Sequence, residues 1–114
     1  MKYMLMIHPG DSGARWEKLS EEEQQGIFGE YLSIREAPGI LGGDQLQPAD
    51  AATTVRVENG ETLITDGPFV ETKEALGGYF LFEADDLDAA VELSSRIPAA
   101  RMGGAIEVRP VVER

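Results

Sequence analysis

The sequence contains no cysteine, one histidine and one tryptophan. The absence of cysteine excludes disulfides, thiolate nucleophiles and thiolate metal ligands. With a single histidine, a metal site would have to be built from carboxylate oxygens, and no spacing of the acidic residues supports one. We therefore predict neither a metal site nor a bound cofactor.

Basic residues are also scarce, with 10 lysines and arginines against 21 acidic residues and a net charge of −11. Binding to nucleic acid or to an anionic membrane depends on a basic face that neutralises phosphates. No such face is visible, because the basic residues are scattered singly along the chain. We predict that the protein binds neither partner.

Long hydrophobic runs are missing from the start of the chain. The apolar run from Met4 to Ile7 is followed at once by His8 and Pro9. It is far shorter than a signal sequence or a membrane-spanning helix requires. The length of 114 residues suits one domain. We expect a single domain over residues 1–114 in a soluble, cytoplasmic protein.

Two segments have the pattern of central strands. Residues 2–8 and 78–83 are largely apolar on both alternating faces, as expected of strands that are covered on both sides. Residues 105–112 instead alternate apolar and charged side chains and include Pro110, which indicates an edge strand. A shorter strand is predicted over residues 40–47, and Asn59-Gly60 predicts a hairpin between residues 53–57 and 62–64.

Two helices are predicted between these strands. Ser20 and Glu23 form a capping box, and Pro38-Gly39 ends the first helix. Gly26 and Gly29 weaken this helix, which suggests close packing against another element or a frayed first turn. Asp85 or Asp86 caps the second helix, which Pro98 ends. Its predicted buried stripe comprises Leu87, Ala90, Val91, Ser94 and Ile97.

The order of these elements predicts an α+β fold, a ferredoxin-like βαββαβ arrangement with an inserted β-hairpin. The first and third main strands then lie in the centre of the sheet. Two helices cover only one face of such a sheet, whereas both central strands are apolar on both faces. We therefore expect a two-fold homodimer packed sheet against sheet.

Several motifs resemble the DGPF-motif branch of the YCII-related proteins, and they span nearly the whole chain. They are the Met-Lys-Tyr-Met-Leu start, Thr65-Asp66-Gly67-Pro68-Phe69 followed by Glu71-Thr72-Lys73-Glu74, Leu76-Gly77-Gly78-Tyr79, Arg96-Ile97-Pro98-Ala99-Ala100 and Ile106-Glu107-Val108-Arg109-Pro110. The resemblance implies a dimeric α/β barrel of ferredoxin-like subunits, with a site in the cleft between the helix face, the loop and the sheet. Some relatives are thought to pair a helix histidine with an aspartate before the proline that ends the second helix. Glu30, Tyr31 and Ile97 stand at those positions, so that dyad does not carry over.

The candidate catalytic residues are His8 and Asp66. His8 is the side chain whose ordinary pKa suits proton transfer near neutral pH, and it ends a central strand. The alternative is a solvated histidine at a strand end, and no acidic residue is fixed beside it in the sequence. Asp66 precedes Gly67-Pro68, so it either forms the turn through bonds to nearby backbone N–H groups or presents a carboxylate to the cleft.

The candidate ligand-binding residues are Glu71, Lys73 and Tyr79. Glu71 and Lys73 are two residues apart, so they share a face of an extended segment, although a solvated loop is the alternative. Tyr79 either directs its hydroxyl into a cavity or packs at the dimer core. Arg101 and Arg109 are further residues that could hold a carboxylate.

Two functions are compatible with these residues. One is a domain that binds a small polar molecule, and that acts as a cofactor-free enzyme of proton transfer or elimination if the site is catalytic. The other is a non-catalytic regulatory or protein-interaction module. A pocket of roughly 300 Å³ or more with converging polar groups would favour the first, and a filled cavity the second.

Overall fold

The computed structural model of the chain describes residues 1–67 and 76–114. Within them the strands are β1 (Lys2–His8), β2 (Ile40–Gln45), β3 (Thr53–Glu58), β4 (Glu61–Asp66), β5 (Gly78–Glu83) and β6 (Ala105–Pro110). The helices are α1 (Ser12–Glu17), α2 (Glu21–Arg35) and α3 (Leu87–Ser95). Short 3₁₀ turns cover Ala49–Ala51 and Pro98–Arg101.

Four strands form one antiparallel sheet in the order β2-β5-β1-β6. The first and third main strands, β1 and β5, lie in the centre, and β6 lies at an edge. This confirms the predicted ferredoxin-like α+β fold and the edge position inferred from Pro110.

The two faces of this sheet differ in what covers them. The face toward the helices carries the core, in which Tyr3, Leu5 and Phe80 are almost fully buried with Ile34 of α2 and Leu93 of α3. On the opposite face, the register places Met4 beside Leu81 and Met6 beside Tyr79. These four side chains are only half-buried. We call this second surface the open face; it contains Met4, Met6, His8, Tyr79, Leu81, Glu107 and Arg109.

Helix α2 begins and ends where the sequence predicts. The Ser20 hydroxyl accepts a hydrogen bond from the Glu23 backbone N–H, and the Glu23 carboxylate accepts one from the Ser20 N–H, both at 3.1 Å. Hydrogen bonds to this carboxylate, from the Ser20 backbone N–H first and then from the Ser20 side chain, hold the pKa of the exposed Glu23 carboxyl below its ordinary value, because they favour its charged form. The predicted capping box is confirmed.

Two features of α2 and α1 differ from the predictions. A Cβ added at Gly26 or Gly29 would meet no described atom within 4 Å, so the predicted close packing at these glycines is wrong within the described chain. Helix α1 was not predicted. It is six residues long and buries none of them, so it leaves no periodic apolar signal in the sequence.

Helix α3 is capped by Asp86, whose side chain accepts a hydrogen bond from the Ala89 backbone N–H at 2.9 Å. Its buried face differs in part from the predicted stripe. Ala90, Ser94 and Ile97 are buried as predicted, but Leu87 and Val91 are each 51% exposed. Leu93 is buried instead. Positions 90, 93 and 94 of the helix, together with position 97 just after it, face the sheet.

Strands β3 and β4 form a separate two-stranded sheet, which we call the ribbon. They pair from Thr53 opposite Asp66 to Glu58 opposite Glu61, with Asn59 and Gly60 at the tip. Both tip residues have positive φ, 51° and 79°, as a two-residue type I′ hairpin turn requires. The predicted hairpin is therefore confirmed.

The end of β1 is fixed by a close approach of two loops. A Cβ added at Gly104 would lie 2.4 Å from the His8 carbonyl oxygen and 2.9 Å from the Ala99 carbonyl oxygen. The Gly104 N–H also donates to Ala99 O at 2.9 Å. The segment before β6 thus lies against the backbone at the end of β1, beside Pro9 and Ala99.

Candidate functional site

A groove of about 830 Å³ lies between α1, α2 and the neighbouring ends of β1, β2 and β5. Most of its lining is apolar, and the rings of Trp16, Phe28 and Tyr31 come from the two helices. The described residues that line its remaining walls include Ile7, Pro9, Ile27, Leu32, Leu46, Leu76, Phe80, Ala99 and Met102. Phe28 is 61% exposed and Leu32 46%, so large apolar surfaces of these side chains face solvent.

Tyr31 is a polar group within this apolar wall. Burial raises the pKa of its phenol above the ordinary value, because it disfavours the charged phenolate. A hydrogen bond with the Ala99 backbone and the nearby Arg101 charge oppose this shift without cancelling it. Ala99 stands in the first turn of the 3₁₀ segment Pro98–Arg101, where backbone N–H groups lack partners within the turn. The Tyr31 hydroxyl therefore stays protonated near neutral pH.

Arg35 and Asp44 supply one charge of each sign to the lining. Arg35 Nη2 lies 3.3 Å from the Gly43 carbonyl oxygen and 4.0 Å from Asp44 Oδ1. Both side chains are more than half exposed, so the pair is well screened by solvent. The part of the groove lining that the structure describes consequently has little net charge, although the chain as a whole is strongly acidic.

His8 lies on the open face, on the other side of the sheet from the groove. Its neighbours Ile7 and Pro9 line the groove, but alternation along the strand turns the His8 side chain away from it. His8 Nε2 lies 3.2 Å from Glu107 Oε1 on the adjacent strand β6. Glu107 also accepts a hydrogen bond from Arg109. These bonds, from Arg109 first and then His8, lower the pKa of the exposed Glu107 carboxyl.

The other predicted site residues fall in different places. Tyr79 is half-buried in β5, opposite Met6 and Asp44, and contributes to the lining of the groove. Asp66 is exposed at the end of β4 in the ribbon and does not share a sheet with His8. Glu71 and Lys73 lie outside the described residues. Tyr79 is thus among the residues that line the groove, although strand alternation places its side chain on the open face beside Met6, and the His8 and Asp66 side chains lie elsewhere.

The two arginines considered as carboxylate ligands are both engaged within the chain. Arg101 forms an ion pair with Glu30 of α2, beside Tyr31. Arg109 forms one with Glu107. Each arginine thus already has a carboxylate partner.

Sequence reasoning missed three groups: Trp16, the Tyr31 hydroxyl and Glu107. Trp16 belongs to a helix that the sequence does not signal. In the sequence, Tyr31 stands out only as one of the residues that stand where some relatives have a histidine. Glu107 and His8 are 99 positions apart and meet only through the pairing of β1 with β6. The alternation of Glu107 with apolar residues in a predicted edge strand was the available signal for this last contact.

The described ranges, 1–67 and 76–114, contain no cluster of three or more histidine and acidic side chains suitable for a metal ion. None of the helices in these ranges has the length and apolar content needed to cross a membrane.

Comparison with known proteins defines the class to which this fold and groove belong. The YCII-related domain family matches residues 1–114, the whole chain. The chain is also similar to a protein of Rhizobium meliloti (strain 1021) described as "Uncharacterized protein R00369". The two are 36% identical over 117 residues, an alignment that covers 97% of this chain and 92% of that protein. The chain is therefore a member of the YCII-related domain family, which confirms the family inferred from the sequence motifs.

Proposed function

We propose that this YCII-related domain binds a small organic molecule in the groove between α1, α2 and the sheet. The observation that carries the proposal is the groove itself, whose volume of about 830 Å³ and mostly apolar wall suit a small ligand. A few polar groups, among them Tyr31, Arg35 and Gln45, stand in this wall and could orient the ligand. This supports the binding hypothesis over a module whose cavity is filled.

The lining refines the type of molecule expected. The sequence predicts a small polar ligand, but most of the described lining is apolar, which favours a ligand with a substantial apolar part. The position of His8 favours binding over proton transfer by that residue, since its side chain lies on the face opposite the groove.

Two glycine substitutions test whether the groove binds ligands. Gly13 lines the groove on α1, whereas Gly26 on α2 does not belong to the described lining, and an added Cβ meets no atom within 4 Å at either position. Gly13→Phe should fill the groove, and Gly26→Phe should leave it open. Nile red, an uncharged dye that fluoresces in apolar surroundings, serves as the probe.

The wild-type protein and Gly26→Phe should bind Nile red with similar affinity, and Gly13→Phe should bind it at least tenfold more weakly. Circular dichroism and melting curves establish that all three proteins fold. Equal dye binding by Gly13→Phe, or no binding by the folded wild-type protein, would contradict the proposal and leave the interaction module as the better hypothesis.

We further propose that the domain forms the homodimer expected from its sequence, through the open face. The accessible surface of the chain is 8105 Å², whereas a compact monomer of this mass exposes about 6,100 Å². The half-buried Met4, Met6, Tyr79 and Leu81 form an apolar centre on that face. With a partner subunit covering it, this centre would resemble the apolar core of a dimer interface.

The substitution Leu81→Asp tests the dimer. Sedimentation velocity should show a dimer at micromolar concentration for the wild type and a monomer for Leu81→Asp, because an unpaired carboxylate in an interface is strongly unfavourable. Leu87→Asp is the control, since Leu87 is 51% exposed on α3 and lies outside the open face. A monomeric wild type, or equal dissociation by both variants, would refute this assembly.

A further inference from the structure

The Tyr31 hydroxyl in the groove wall restricts the chemistry of the ligand. Tyr31 and Ala99 both line the groove. The Tyr31 oxygen accepts a hydrogen bond from the Ala99 backbone, and burial disfavours loss of the phenol proton. A protonated phenol whose oxygen already accepts a hydrogen bond has its O–H left to donate. A ligand group that receives this hydrogen bond is an acceptor.

The charges around the groove indicate which kind of acceptor fits. Arg101 is paired with Glu30, and Arg35 lies within 4.0 Å of Asp44, so neither guanidinium is a dedicated partner for an anion. The chain carries a net charge of −11, which repels anions at a distance. Among the residues in ranges 1–67 and 76–114, the lining therefore suits an uncharged acceptor better than a carboxylate.

The body of the ligand is defined by the walls near Tyr31. Phe28 and Leu32 flank Tyr31 on α2, and Trp16 contributes a further ring from α1. Contacts with these side chains remove apolar ligand surface from water.

On this basis we infer that the groove recognises an uncharged carbonyl compound with an apolar body, and that the Tyr31 hydroxyl donates a hydrogen bond to the carbonyl oxygen. This inference rests on the proposed ligand-binding function and adds the class of ligand and the residue that selects it. Tyr31 acts here as a specificity-determining residue, and no covalent step is involved.

Three small probes of similar shape separate the contributions of the carbonyl oxygen, the apolar body and a negative charge to binding. Acetophenone carries a carbonyl oxygen, α-methylstyrene has a methylene group in its place, and benzoate has a carboxylate. Trp16 is the chain's one tryptophan and lines the groove, so its indole N–H gives a single nitrogen-correlated proton NMR signal that reports on the site. Titrations followed by this signal give a dissociation constant for each probe.

The wild-type protein should bind acetophenone about fivefold more tightly than α-methylstyrene, the value of one ordinary hydrogen bond. Benzoate should bind more weakly than acetophenone. In Tyr31→Phe the preference for acetophenone should disappear while α-methylstyrene binding is kept. Tyr3→Phe is the matched control, because the Tyr3 hydroxyl contacts Met1 Sδ and lies outside the groove.

The outcomes distinguish this inference from the function on which it rests. If both uncharged probes bind but Tyr31→Phe leaves their affinity ratio unchanged, the role of Tyr31 is refuted and ligand binding in the groove stands. Tighter binding of benzoate would refute the uncharged class. If no probe moves the Trp16 signal and Nile red binding is also absent, both the inference and the proposed function are overturned.

Discussion

The four-stranded sheet and the ribbon both consist of paired antiparallel strands, yet they differ in what covers them. In the sheet, helices bury Leu5 completely and leave Phe80 6% exposed. In the ribbon, Val57 and Ile64 are 67% and 68% exposed. An isolated two-stranded hairpin is marginally stable in water. Local pairing signals therefore suffice to form a strand, whereas the stability of the domain comes from the helix layer on one face of the larger sheet.

The largest difference is expected for matched truncations in the two regions. Leu5→Ala should lower the free energy of unfolding by about 2–5 kcal/mol, because it leaves a cavity in the core. Val57→Ala should change it by less than about 0.5 kcal/mol, as is usual for an exposed site. Chemical denaturation of the two variants measures both values. A large loss in Val57→Ala would reveal that another surface covers the ribbon.

Glycine substitutions should give the next largest difference in stability between the four-stranded sheet and the ribbon. Gly104→Ala should destabilise the whole domain by about 1–3 kcal/mol, since the new methyl group would overlap backbone oxygens at the end of β1. Gly60→Val should strain the hairpin tip by about 1 kcal/mol or more, because the side chain disfavours positive φ.

The two glycine variants should also differ in how far their effects spread. Gly60→Val should reduce hydrogen-exchange protection in β3 and β4 while the melting temperature stays nearly constant, because the ribbon is a separate sheet. Gly104→Ala should lower the melting temperature itself. A single cooperative loss of all protection in Gly60→Val would show that the ribbon and the sheet unfold together.

A glycine on the exposed side of α2 is expected to give an effect of opposite sign. Gly26→Ala should raise the stability by about 0.8–1.0 kcal/mol, since alanine favours the helix and its methyl group meets no described atom. Thermal unfolding provides the measurement, with Gly29→Ala as a second site of the same kind. Destabilisation at both positions would indicate an unseen contact along this side of α2.

The smallest effect is expected at the charged edge of the sheet. The folded state lowers the pKa of Glu107, so its stabilising contribution is present above the ordinary glutamate pKa and is lost as the pH falls through the lowered value. Glu107→Gln should therefore melt slightly below the wild type at neutral pH and together with it in strong acid. A difference that persists unchanged at low pH would rule out this charge-dependent contribution.

Several parts of the fold were predictable because their signals are local. Ser20 and Glu23 specify a helix start within four residues, and Asn59-Gly60 specifies a hairpin within two. The two-sided apolar pattern of β1 and β5 indicated their central position. The buried stripe of α3 was predicted only in part, because the choice between Val91 and Leu93 depends on how the helix sits on the sheet.

The candidate site was much less predictable, for a physical reason. The groove combines side chains from two helices and three strand ends, which only the tertiary arrangement brings together. His8 was identified as a candidate, but its contact with Glu107 depends on strand pairing across most of the chain. The motif around Asp66 gave a family resemblance, and the family is confirmed, whereas its assignment to the DGPF branch stays a prediction, as does the cytoplasmic location.

The position of Trp16 has a consequence for any optical study of unfolding. This fluorophore sits on α1, which has no buried residue, whereas the rings of Tyr3, Phe80 and Phe82 lie in the core. Tryptophan fluorescence thus reports the detachment of one short helix, while far-ultraviolet circular dichroism reports loss of the sheet and the longer helices. The two curves coincide only where α1 and the core unfold as one cooperative unit. A midpoint taken from fluorescence alone measures the integrity of the groove and not the stability of the domain.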